Sequence, residues 1–173
     1  VAVLASYYME VIIHLSVPVT ASIITIGSFI TIPGYWVNGA ISEFIGRRYA
    51  GILGTVLALV GTVLFAISAK TYVALLITYA FSSFWINGNF ANVINYVNEM
   101  VPTRIRGTVN VLSTGFGQLG WGIVDLIYGS LIKFVGISGD MAIIAIAFFA
   151  VAIGIFLTGP KIKVGEPLED IAI

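Results

Sequence analysis

The chain has 173 residues, of which 59% are hydrophobic and 9% charged, and its formal net charge is zero. Ordinary soluble domains carry about a quarter of charged residues, so a water-soluble fold is excluded and the class is integral membrane protein. The balanced charge and lack of a basic patch exclude nucleic acid as a partner, and the absence of cysteine excludes disulfide, thiolate and zinc-thiolate chemistry.

Val1 to Tyr8 is apolar but too short to span, and it has neither a positive n-region nor a small-residue cleavage site. It reads as the tail of a preceding helix, not as a signal peptide. His14 follows, before Pro18, and reads as a solvated interfacial residue. A crossing helix needs about 20 mostly apolar residues. Windows of roughly that length run over 17–41, 49–69, 72–97, 108–132 and, slightly short, 141–158. The last stops at Gly159-Pro160, a natural helix end, and leaves 159–173 as a tail. The spacing predicts an all-α integral membrane bundle with these five spans and a remnant of a sixth. Arg47, Arg48, Arg104, Arg106, Lys161 and Lys163 fall on one side, and Lys70 and Lys133 on the other. By the positive-inside rule, the 43–48 and 99–107 loops and the C-terminus are expected in the cytoplasm of a multi-pass protein.

Polar residues follow helical periodicity in three of the five windows. In 108–132, Asn110, Thr114, Gln118, Trp121, Asp125 and Tyr128 share one narrow face. In 72–97, Trp85, Asn89, Asn92, Tyr96 and Glu99 form a stripe, with Asn87 and Asn95 nearby, and 17–41 shows Thr31, Tyr35, Asn38 and Ser42. The other two windows are plain, and small residues such as Gly54 and Ala58 read as packing. Bare amides facing lipid cost several kcal/mol each, on the order expected for unsatisfied polar groups, so the stripes must face protein or water. The expectation is a hydrated cavity lined by Trp85, Asn87, Asn89, Asn92, Asn110, Thr114, Gln118 and Trp121, with the plain helices on the lipid side. Asp125 is the one acid within a span, about 26 Å along its helix at 1.5 Å per residue, and is the candidate for proton coupling.

Two short loops hold most of the remaining charge. In "NGAISEFIGRR", residues 38–48, Glu43 and Arg47 are four apart, the spacing of a salt bridge on a continued helical turn. Gly39 and Gly46 there predict close packing and a sharp turn. In "NEMVPTRIRG", residues 98–107, Pro102 predicts a helix end and Gly107 the entry to the next. Glu99, Arg104 and Arg106 then have reach to pair across the hairpins.

"GAISEFIGRR" resembles the G-x-x-x-D/E-x-x-G-R-R/K loop signature of the major facilitator superfamily. "EMVPTRIRG" is similar to the E-x-x-P-T-R-x-R-G segment after helix ten in its sugar-porter and metabolite-symporter branches. The tail "GPKIKVGEPLEDI" echoes the sugar-porter ending P-E-T-K-G-x-x-L-E-E-I, with Lys161 where the acid after proline stands. The resemblance implies that the five windows correspond to helices eight to twelve of a twelve-helix carrier, with helices eight, ten and eleven at the cavity. It departs from hexose carriers at G-P-x-P-W of helix ten, where this chain reads Gly88, Asn89, Phe90, Ala91.

The resemblance further implies a secondary transporter of the plasma membrane, working by alternating access on a sugar or similar small polar metabolite with proton symport. Its partners would be the lipid bilayer, the small polar solute and a missing N-terminal half. Gly39, Glu43, Gly46, Arg47, Arg48, Glu99, Arg104 and Arg106 would form a cytoplasmic gate. Phosphate or organic acid as the solute, or a half-carrier or gene fragment that does not transport, are the alternatives. No nucleophile triad, metal-ligand cluster or phosphate-cradling loop is present, so neither an enzyme nor a cofactor or metal site is expected.

Overall fold

A helix satisfies every backbone N–H and C=O within a single apolar segment, and in the computed structural model every regular element among the described residues is helical. The structure describes the backbone of residues 2–68, 70–135 and 137–159, and their side chains except at 2–3, 121, 124–125, 128–135, 137–145 and 148. The expectations for the side chains of Trp121, Asp125, Tyr128 and Lys133, and for Lys161, Lys163 and the tail from residue 160, lie outside the described residues.

Helix α1 (Ala2–Tyr7) runs into a π-helical turn, Tyr8–Ile12. His14 ends it in a left-handed conformation (φ 59°), which lets the Leu15 N–H donate to the Met9 carbonyl at 3.0 Å. The histidine therefore has a backbone task, closing the turn before α2. Helices α2 (Val17–Ile45), α3 (Arg47–Ile67), α4 (Tyr72–Glu99), α5 (Arg106–Val135) and α6 (Ile137–Thr158) follow. Pro18 sits in the first turn of α2, where its missing N–H has no partner to lose. Val17–Ile45 and Arg47–Ile67 are long and apolar enough to cross a membrane. Helix α4 is diluted along its second half by Asn87, Asn89, Asn92, Asn95 and Asn98.

Helix α4 lies at the centre, packed on one side against α2 and on another against α3, while α3 also packs against α6. An apolar cluster near the start of the chain joins Ala5, Tyr8, Met9, Ile23, Phe65, Leu75 and Tyr79. Within it the Phe65 ring meets Tyr8 and Tyr79 edge-on, at centroid distances of 5.6 and 6.0 Å, and the Tyr8 hydroxyl donates to the Ala66 carbonyl. A smaller cluster at the opposite end holds Tyr96 against Phe156.

Where α2 crosses α4, the backbones come together at Gly34 and Gly88. A Cβ on Gly88 would lie 2.6 Å from the Gly34 carbonyl oxygen, and one on Gly34 would lie 2.8 Å from that of Phe84. Only residues without a side chain allow such an approach, which is how apolar helices gain packing when there is no hydrophobic drive between them.

Candidate functional site

The site begins at a turn. Gly46 links α2 to α3 with φ +86° and ψ 151°, a conformation that residues with a side chain rarely adopt. This single residue stops α2 at Ile45 and starts α3 at Arg47, so the helical turn that would put Glu43 and Arg47 side by side does not exist. The expected Glu43–Arg47 pair is accordingly not formed among the described residues. Glu43 is exposed, and Arg47 turns instead to Glu99, the last residue of α4.

Arg47 is the centre of a compact polar node. Its Nη2 lies 2.9 Å from Glu99 Oε1, and its Nε donates to Oε1 and Oε2 at 3.0 and 3.2 Å. Its Nη1 donates to the Ser42 hydroxyl on α2. Its carbonyl accepts from Asn92 Nδ2 at 3.0 Å. The side chains of Arg47 and Glu99 are 9% and 23% exposed, so the pair is largely shielded from solvent. Arg48, the next residue, reaches the other way and donates through Nη2 to the Leu157 carbonyl in the last turn of α6. Adjacent arginines at the start of α3 thus hold the C-terminal ends of two other helices, where a cation is favoured by the helix dipole.

Arg104 is exposed on the α4–α5 connection, and Arg106 opens α5 half-buried, its Nε and Nη2 without an acceptor among the described residues. Gly39 has open space where a Cβ would stand, so close packing is not what that glycine provides.

The asparagine stripe of α4 faces α3. Asn89 donates through Nδ2 to the Gly51 carbonyl and the Thr55 hydroxyl, at 3.3 and 3.0 Å, and Asn92 is bound to Arg47 as above. Both are buried, and each leaves Oδ1 without a donor among the described residues. Their polar groups therefore meet a neighbouring helix rather than open water. That helix is the plain one, and the residue the sequence pattern overlooks is Thr55. Its hydroxyl back-donates to Gly51 and accepts from Asn89, but a lone threonine in an apolar run gives no periodic signal. On α2, Asn38 donates to the Gly34 carbonyl of its own helix while buried against Gly88 of α4, and Ser42 donates to the Gly39 carbonyl and accepts from Arg47 of α3.

Other expected cavity residues have different settings. Asn87 is half-buried and donates back to the Ser83 carbonyl at 2.9 Å. Trp85 is half-buried, edge-on to Phe81 and Phe84, with its indole N–H buried and without an acceptor among the described residues. On α5, Asn110 is half-buried, while Thr114 and Gln118 are exposed, as are Val111, Leu112, Phe116 and Leu119.

The model of one family, described as Major Facilitator Superfamily, matches residues 1–170. The chain belongs to that superfamily. Its members are transporters of the membrane and not enzymes. Two putative inorganic phosphate transporters of Schizosaccharomyces pombe are each 28% identical over 116 residues, covering 64% of this chain and 20% of the relative. A probable inorganic phosphate transporter of Arabidopsis thaliana is 25% identical over 122 residues, covering 66% of this chain and 24% of the relative. The chain thus spans about a fifth to a quarter of the length of the curated relatives it matches.

Proposed function

We propose that the chain is part of the C-terminal half of a superfamily carrier that moves inorganic phosphate across a membrane by alternating access. The observation that carries this reading is the similarity to phosphate transporters from a yeast and a plant, over some two thirds of the chain. In this reading all five long helices cross the bilayer, with the Arg47 end in the cytoplasm. The bundle rocks against a second, N-terminal half around a site near the midplane. Trp85, Asn87, Asn110, Thr114, Gln118 and Trp121 are its proposed cavity-lining residues, and Asp125 is the proposed proton-coupling group. Asn89 and Asn92 hold the wall of that cavity to α3. Glu43, Arg104 and Arg106 are the members of the cytoplasmic gate with charge available for the facing half.

A sugar is the second reading, favoured by the sugar-porter-like segment Glu99 to Gly107. The full-length protein, reconstituted into proteoliposomes, separates the two. Uptake of radiolabelled phosphate, competed by unlabelled phosphate and not by hexoses, is expected. Uptake of a hexose with no response to phosphate would overturn the phosphate assignment.

A further inference from the structure

The end of the bundle that holds the arginine node carries more positive charge than its ion pair consumes. Among the described residues, Arg47, Arg48, Arg104 and Arg106 meet only Glu43 and Glu99 there. Arg47 and Glu99 neutralise each other. Arg48 donates to the Leu157 carbonyl, an acceptor without a charge, and its Nε is buried with no partner among the described residues. Arg104 is exposed, and Arg106 is half-buried, with Nε and Nη2 both shielded from water and without an acceptor among the described residues. Three arginines without a counter-charge against one unpaired acid, the exposed Glu43, leave a surplus of two positive charges. At the opposite end, the acidic and strongly basic side chains described are Glu10 and Lys70, one of each sign. A guanidinium keeps its proton in a protein, so burial cannot discharge Arg106. With little water around it, its field is weakly screened. The positive-inside rule asks for arginines on this side, but not that one be shielded and left without a counter-charge.

Resting on the phosphate reading above, we propose that Arg104 and Arg106 make the cytoplasmic mouth of the carrier an anion-collecting antechamber. Phosphate carries more than one negative charge near neutral pH, and a mouth of uncompensated positive charge raises its local concentration. The effect acts over distance and needs no contact between a phosphate oxygen and Nε or Nη2, so the shielding of those atoms is no obstacle. It belongs to one entrance. It lowers the KM for phosphate arriving from the cytoplasm and leaves the KM at the other, charge-balanced end as it is. Glu43, exposed at the same end, works against it.

The test uses the full-length protein in right-side-out and inside-out membrane vesicles loaded with phosphate, and reads exchange of radiolabelled inorganic phosphate. In inside-out vesicles, which present the cytoplasmic face, Arg104→Gln and Arg106→Gln should each raise KM about two- to fivefold, the weight of one partly screened charge on a multiply charged anion. Arg106→Lys keeps the charge and should stay near the unsubstituted value, while Glu43→Gln should lower KM. In right-side-out vesicles KM should hold in every variant. Added salt should raise the cytoplasmic KM of the unsubstituted protein and shrink the differences between variants. A fold damaged by substitution shifts KM on both faces and does not lower it in Glu43→Gln, so the opposite signs separate charge from structure. A cytoplasmic KM that neither the arginines nor Glu43 alter, in vesicles that do exchange phosphate, would overturn the antechamber and leave the phosphate reading standing. Vesicles of the unsubstituted protein that exchange no phosphate would overturn that reading, and this inference with it.

Discussion

Arg47 brings a guanidinium into a place with little water and meets it with the Glu99 carboxylate and the Ser42 hydroxyl, while its backbone carbonyl accepts from Asn92. Lysine cannot reproduce this, because an ammonium has no planar fork to bridge both oxygens of Glu99 while also reaching Ser42. Removing either charge leaves the other buried and unpaired. We expect Arg47→Lys and Glu99→Gln each to lower stability, with Arg47→Ala costing roughly 2–4 kcal/mol, towards the lower side of buried-pair losses because Glu99 keeps some solvent contact. Thermal unfolding in detergent, followed by tryptophan fluorescence, checks this. In a double-mutant cycle the two changes should be strongly non-additive, and additivity would mean that the pair does not couple. The scarcity of charge makes Glu99 and the arginines stand out, and the hairpin geometry predicts that Glu99 pairs across it, but the sequence does not single out Arg47 as the partner. The four-residue spacing that favours Glu43 assumes an unbroken helix, and one glycine at positive φ removes that assumption.

At the scale of elements, periodicity revealed that α2 and α4 each have a polar face but not what that face meets. A helical wheel is silent about its neighbour. An asparagine facing a cavity and one facing Gly51 and Thr55 of another helix leave the same trace in the sequence. Helix α3 looked plain because its contribution is small residues and backbone carbonyls, which are polar partners without being polar side chains. The α2–α4 crossing makes a sharper test of how these helices fit. In Gly88→Ala the new methyl would press on Asn38 and on the Gly34 carbonyl, two groups already bonded to each other. Overpacking of that kind costs about 1–3 kcal/mol. Asn38→Ala in the same chain should restore part of the loss, since it removes one obstacle and leaves the carbonyl. Full stability of Gly88→Ala alone, measured by the same unfolding assay, would show that the helices separate at little cost.

For the whole molecule, composition points to a membrane class, because so few charged side chains cannot clothe a water-soluble surface, and the apolar windows point to helices. Family membership was legible in two loop motifs, while the solute was not. Recognition of a solute needs groups from several helices at once, and a linear pattern records them one helix at a time. The orientation proposed from the arginine and lysine distribution can be checked by single-cysteine labelling, since these 173 residues contribute no cysteine of their own. Arg104→Cys should react with an impermeant maleimide only after the vesicle interior is opened, and Lys70→Cys should react from outside in intact cells. The reverse pattern would invert the topology.

The hold of Arg48 on the Leu157 carbonyl ties residues more than a hundred positions apart. During synthesis α3 leaves the ribosome before α6, so the Arg48–Leu157 contact forms only once α6 has been made. Closure of α3 against α6 is thereby timed to the synthesis of α6.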